Sequence, residues 1–337
     1  MKPLKHILSI MILFLGLALA GFSQQINTKI DEAKEIKAKT LIVGLPVIDE
    51  SLLKSLSTDS PVLVVKYKME IEGKRTYLKR AVKEYWKFSN NVKILDMPEA
   101  KELFNSDKDS YAFMYLNEST GDRDFTFKNG DDGYGTVGYV RTNILEYNYN
   151  SRYDLRQLVV TPLIIKTKRQ CFEMLLPRKC SSYFDFVYTI QRSQYELSKL
   201  IDSGNAKLSM LYSKFPADQL KKKTLMIDQN DIYNSITEEE LTKIYPYPVK
   251  IVNIKEIESA ILKGDSTIAV LYLVPCSATN TEEILFNAAT GCVYYIQDRG
   301  TYYIGQEFSH GTALFSHNKV DALNLKSIAR EIVHLNQ

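Results

Sequence analysis

The chain has 337 residues, 43 of them Lys or Arg against 40 Asp or Glu, for a formal net charge of +3. So weak a field excludes the basic footprint of a nucleic-acid binder. With 45% hydrophobic and 25% charged residues, the composition is that of a folded globular protein, long enough for two domains.

The N-terminus opens with Lys2 and Lys5, continues as an apolar run from Ile7 to Ala20, and reaches Gln24 through small residues. This is the pattern of a secretory signal peptide over residues 1–23, with cleavage expected after Ser23. The apolar run is shorter than the roughly 20 residues a spanning helix needs, and no Cys follows it to accept a lipid anchor. Loss of Lys2 and Lys5 takes the formal charge from +3 to +1.

In the mature part, Ala33 to Val43 (AKEIKAKTLIV) enters a first apolar strand. Arg75 to Phe88 then reads as a helix, with Leu78, Val82, Tyr85 and the single Trp, Trp86, placed to pack in the core. The next segment, Val92 to Leu116, aligns without a gap on Val249 to Leu273, with seven of 25 positions identical. Ala33 to Val43 likewise matches Ala217 to Ile227 at five of 11 positions. The chain is therefore an internal duplication, one supersecondary design used twice. We place the copies at 24–205 and 206–337. The first has 27 extra residues between its first two strands, and a β-rich region from Leu116 to about Lys179 before a helix at Tyr183 to Asp202.

The second copy is compact. Thr224 to Ile227 reads as a strand, and Thr237 to Ile244 as a helix opened by a Thr cap. Val249 to Val252 is a strand, Lys255 to Leu262 a helix ended by Gly264, and Thr267 to Val274 a strand buried on both faces. Ile284 to Ile296 forms a hairpin around Gly291, and Val320 to Leu335 a closing amphipathic helix on Leu323, Ile328, Ile332 and Leu335. The fold class is α/β: two tandem βαβαβ units, each with an added antiparallel hairpin and a final helix, in a thioredoxin-like or half-Rossmann-like order. No Cys-x-x-Cys accompanies it, so redox chemistry of the thioredoxin kind is not implied. The leader ending GFSQQ, ahead of a Lys-, Tyr- and Asn-rich duplicated α/β chain, resembles exported proteins of Bacteroidota-type bacteria. That resemblance implies a periplasmic or extracellular address and no activity.

Four cysteines in such a compartment permit disulfides. Cys171 with Cys180 and Cys276 with Cys292 is the economical pairing, against four buried thiols packed as small hydrophobes. Gly133 to Gly138 matches G-x-G-x-x-G, but Tyr139 to Tyr149 is β-rich where a dinucleotide site needs a helix, so a hairpin is expected. Asp131 and Asp132 beside it read as a solvated turn, since the calcium-loop spacing is missing. His310 and His317 lack further ligands for a metal, and no metal or cofactor is expected. Cys276 directly follows the third strand of its unit, so a nucleophile with His310 as base and Asp298 as orienter is conceivable, although no helix N-terminus follows to stabilise a thiolate.

Charge is uneven only between Arg152 and Cys180, where Arg152, Arg156, Lys166, Lys168, Arg169, Arg178 and Lys179 face Asp154 and Glu173. A Cys171–Cys180 bridge would gather Arg169, Arg178 and Lys179 into a cationic hairpin for a carboxylate or phosphate. The other reading is an edge strand protected by charge. The favoured function is a non-catalytic exported module that binds an envelope component or protein partner. An extracytoplasmic hydrolase with its site at the strand carboxyl ends, and a structural or assembly protein, are the alternatives.

Overall fold

The structure, a computed structural model, describes residues 28–59, 61–117, 122–129, 133–141, 162–168, 171–176, 182–204, 217–232, 236–275, 280–300, 320 and 322–334. The expected signal peptide, 1–23, lies outside them.

The first copy runs α1 (Ile30–Ala38), β1 (Thr40–Leu45), α2 (Glu50–Asp59), α3 (Pro61–Tyr85), β2 (Val92–Asp96), α4 (Met97–Ser106) and β3 (Tyr111–Leu116). It continues through β4 (Asp122–Asn129), β5 (Gly133–Arg141), β6 (Pro162–Lys166), β7 (Cys171–Leu175) and α5 (Tyr183–Ser203). The second copy comprises a 3-10 turn (Ala217–Lys222), β8 (Thr224–Asp228), α6 (Glu238–Ile244), β9 (Val249–Val252), α7 (Ile254–Lys263) and β10 (Ile268–Pro275). It closes with β11 (Asn280–Asn287), β12 (Val293–Gly300) and α8 (Ala322–His334).

The two five-stranded sheets have the same topology, β2-β1-β3-β6-β7 and β9-β8-β10-β11-β12. The duplication holds to the residue. Leu41 pairs in parallel with both Val92 and Ala112, and its counterpart Leu225 pairs with both Val249 and Ala269. Helices α4 and α7 occupy the same stretch of the gapless alignment. In each unit an antiparallel pair follows the third parallel strand, β6–β7 and β11–β12. The G-x-G-x-x-G segment lies in β5 and pairs with β4, so its glycines belong to a hairpin as expected; Asp131 and Asp132 lie outside the described residues.

Local chemistry sets the boundaries. Asn253 accepts from the amides of Lys255 and Glu256 at the start of α7, and Gly264 ends it at φ 64°. Thr237 with Glu240 forms a capping box on α6, and Ser182 with Asp185 one on α5. The helix expected at 75–88 is longer than its periodicity indicated: α3 begins at Pro61, where proline's fixed φ suits the first helical turn, and α2 precedes it. A small cluster of Leu56, Tyr67 and Ile71 holds the two helices together.

One face of the first sheet, including Leu41, Val43, Met114 and Ile165, packs against α1, α3 and α5; the other, through Ile42 and Phe113, takes Ala100 and Phe104 of α4. In the second sheet Leu225, Ile227, Leu271 and Leu285 pack against α6 and α8. Its opposite face, with Val270, Tyr272 and Phe286, joins the same hydrophobic cluster as the first copy. Helix α5 makes this junction. Tyr188 stands 5.4 Å from the Tyr272 ring and 4.1 Å from that of Phe286, and Phe184 lies 6.3 Å from Tyr272. Beside them a fully buried Arg192 bonds Glu196 (2.8 Å) and the Tyr188 hydroxyl (3.0 Å). On its other flank α5 is pinned to α3, where the Tyr183 hydroxyl donates to Glu84 (2.6 Å) and Arg80 both bonds Glu84 and stacks over the Tyr183 ring. Among the described residues no helix is long and apolar enough to cross a membrane.

Gly291, in the β11–β12 turn, touches α5 directly. A Cβ there would lie 2.6 Å from the Arg192 nitrogen and 2.9 Å from its Cα, both backbone atoms. Gly264 has nearly the same backbone, φ +64° against +68°, but open space around it. Gly264→Ala is therefore expected to lose about 1 kcal/mol from left-handed strain alone. Gly291→Ala should lose roughly 1–3 kcal/mol more through the steric conflict with α5. Urea unfolding of the two variants tests this; equal losses would show that α5 does not press on the turn.

Candidate functional site

The residues singled out from sequence do not assemble among the described residues. Cys276, His310 and His317 lie outside them, while Asp298 sits in β12 with its backbone opposite Glu282. Among the described residues no group of three or more His, Cys, Asp or Glu side chains converges as a metal site.

Cys292 is a free thiol, and Cys276, its expected bridge partner, lies outside the described residues. Gly291 in the turn brings Cys292 against α5, where its Sγ is 3.0 Å from the Tyr195 hydroxyl. Burial pushes the Cys292 thiol up, and burial together with the thiol contact pushes the Tyr195 hydroxyl up. Cys171 starts β7, paired in backbone register with Lys166, and Cys180 lies outside the described residues.

The basic stretch is already partly engaged by its own chain. Lys166 lies over the rings of Phe104, Phe113 and Tyr115, between 5.3 and 5.5 Å from their centroids. Lys168 pairs with Asp109 at 2.9 Å. Burial raises the Glu173 carboxyl above its usual range. Arg169, Arg178 and Lys179 lie outside the described residues, the first before β7 and the other two after it. A strand of five residues, about 14 Å from first to last Cα, separates the two groups in the chain.

A groove is formed elsewhere, between α3 and the sheet-edge strand β2. It has a volume of about 500 Å³ and is lined by Lys79, Val82, Lys83, Trp86, Val92 and Ile94. Lys79, Val82 and Lys83 of α3 and Trp86, the residue directly after it, follow i, i+3, i+4, i+7 spacing, which puts them on one side of the helix. Trp86 is 4% exposed, its indole N–H donating to Ser89 (2.8 Å) and its ring edge-on to Phe88 at 5.7 Å. It is thus the core anchor expected from sequence and also closes one wall of the groove. Lys79 and Lys83 are exposed and take part in none of the described ion pairs. The nearest acids in sequence are otherwise occupied: Arg80 holds Glu84, and Arg75 holds Asp96 and reaches Glu72.

The lining thus offers two ammonium groups over an apolar floor, with no carboxylate, hydroxyl, thiol or imidazole. That suits retention of an anionic, partly apolar ligand. Sequence reasoning missed Lys79 and Lys83 because lysines on the polar side of a helix read as solvated; their spacing with Trp86 was the available signal. In comparisons with known proteins, the chain matches no family model, no curated protein and no solved structure.

The buried thiol yields a direct test. In native protein at about pH 8, Cys292 should resist iodoacetamide and then label fully in urea, because burial disfavours the thiolate. Peptide mass spectrometry reads the site; native labelling at the rate of an exposed cysteine would contradict the Tyr195 contact.

Proposed function

We propose that this chain is an exported, non-catalytic binding module that holds an anionic, partly apolar partner in the groove between α3 and β2. One observation carries the reading: Lys79 and Lys83 stand beside Val82, Trp86, Val92 and Ile94 with no anion partner among the described residues. Support also comes from the duplication. Helix α3 lies in the extra residues of the first copy, and among the described residues the second copy has the seven-residue α6 between the corresponding strands. The leader supports a periplasmic or extracellular address, where anionic envelope components and partners are available.

Trp86 is the single tryptophan, so its emission reports on the groove without labelling. Titration with laurate and with a short acidic peptide is expected to shift that emission for at least one probe. Lys79→Ser with Lys83→Ser should weaken the response about tenfold, the combined effect of two surface charge contacts, and salt should weaken it further. Arg169→Ser, Arg178→Ser and Lys179→Ser together should leave it unchanged. The opposite pattern would move the binding surface to the basic stretch, and an unresponsive Trp86 with every anion would remove the groove reading.

A further inference from the structure

Strand β2 is an edge of its sheet. The Leu41 amide donates to the Asn91 carbonyl at 2.9 Å, which turns the polar backbone groups of Asn91, Lys93 and Leu95 toward β1. Because successive residues of a parallel strand alternate, those of Val92 and Ile94 point away from the sheet. Their side chains, on the α3 side, line the groove. The same two residues therefore present the groove wall and a ladder unpaired among the described residues, and Val92 is 37% exposed.

The second copy is an internal comparison. Its edge strand repeats the sequence as Val249-Lys250-Ile251, in the same register with its neighbour. There Val249 and Ile251 are partly buried beside Ile244 and Tyr247, next to the buried Tyr245. Tyr245 and Tyr247 stack edge to face at 5.4 Å across the short connection from α6. Val249 is thus partly buried against its own chain, whereas Val92 is exposed and bordered by two lysines that take part in none of the described ion pairs.

We infer that β2 and the groove together accept an extended acidic peptide segment of a partner protein, added as a further strand beside Val92–Asp96. The inference rests on the groove reading above and specifies its occupant. Main-chain hydrogen bonds to Val92 and Ile94 give the segment its direction and hold, as in other strand additions. Alternate side chains of the added strand fall on the α3 face, where Lys79 and Lys83 select carboxylates. Those between them fall on the face of Lys93 and Leu95, where Lys93 already lies 5.3 Å from the Tyr111 ring. An anionic lipid tail would use the lysines and the apolar floor, but would leave the outward amides of β2 unused.

An acetylated peptide of alternating glutamate and valine, about eight residues long to cover a five-residue strand, is the probe. A copy N-methylated on every second amide keeps the charge and side chains but cannot complete a ladder. In Trp86 titrations the unmodified peptide should bind at least about tenfold more tightly than its N-methylated copy. It should also slow hydrogen exchange at the Val92 and Ile94 amides, and leave those of Val249 and Ile251 unchanged. Equal binding of both peptides, or exchange at Val92 and Ile94 that stays fast in the complex, would refute strand addition while leaving the groove reading standing. Failure of both peptides while laurate still shifts Trp86 would reassign the occupant to a lipid. Failure of every anion would remove both readings.

Discussion

Helix α5 has almost no solvent face along its first three turns, where Tyr183 to Ser193 are all buried. It ends the first copy of the repeat, yet its aromatic residues complete the inner face of the second sheet. Each large side chain removed from water there contributes about 1.5–3 kcal/mol, so Tyr188, Tyr272 and Phe286 bind the two units at the strength of a core. The buried Arg192–Glu196 pair adds a constraint of another kind. Two charges in an apolar interior are tolerated only while their geometry is kept, and loss of either leaves the other uncompensated at about 3–5 kcal/mol. The duplication is thus two sheets organised around one helix, and the second sheet cannot close its inner face with residues of its own copy alone.

At either end of this arrangement the chemistry of the described faces differs from that of the α5 junction. Helix α8 follows β12 as α5 follows β7; among its described side chains Leu325, Ile328, Ala329 and Ile332 are buried, with Lys326 and Arg330 exposed. At the other end, register equates Phe113 and Lys166 of the first sheet with Val270 and Phe286 of the second. Where Phe286 receives Tyr188, Lys166 instead lies across Phe104, Phe113 and Tyr115 and screens them with its own chain. One lysine in place of one phenylalanine turns a docking face into a cap, as terminal repeats of stacked proteins require.

Much of the scaffold was legible because local and global signals agree in the compact copy. The caps Thr237, Asn253 and Gly264, the apolar strands and the gapless match all point to the order that is observed. The first half of α3 was not legible, since Val62 to Val65 reads as a β-rich run and its helical state depends on Pro61 and on packing with Leu56. The junction at α5 was visible only in outline. An all-round apolar sequence such as Tyr183 to Ile190 signals burial on more than one side, but what covers the second side is a tertiary fact. The Cys292 contact was not legible either, because a thiol beside a tight turn is as well placed to pack on Tyr195 as to find another sulfur. The groove depends on the distance between a helix and a strand edge, which no periodicity encodes.

The unequal connections between first and second strands explain why the copies diverge at the site and agree elsewhere. With 24 positions between Leu225 and Val249 the chain can place only α6 and a short return, and that return lays Tyr245 and Tyr247 beside the Val249 edge. With 51 positions between Leu41 and Val92, α3 runs for 25 residues and crosses above the edge instead of filling it. The long helix must keep one face on the core through Leu78, Val82 and Trp86, which fixes Lys79 and Lys83 at the margin of that face. The charge of the groove then follows from helix geometry, and the open β2 edge from the length of the insertion. The longer connection leaves Val92 exposed where the shorter one packs Tyr245 and Tyr247 beside Val249 and Ile251.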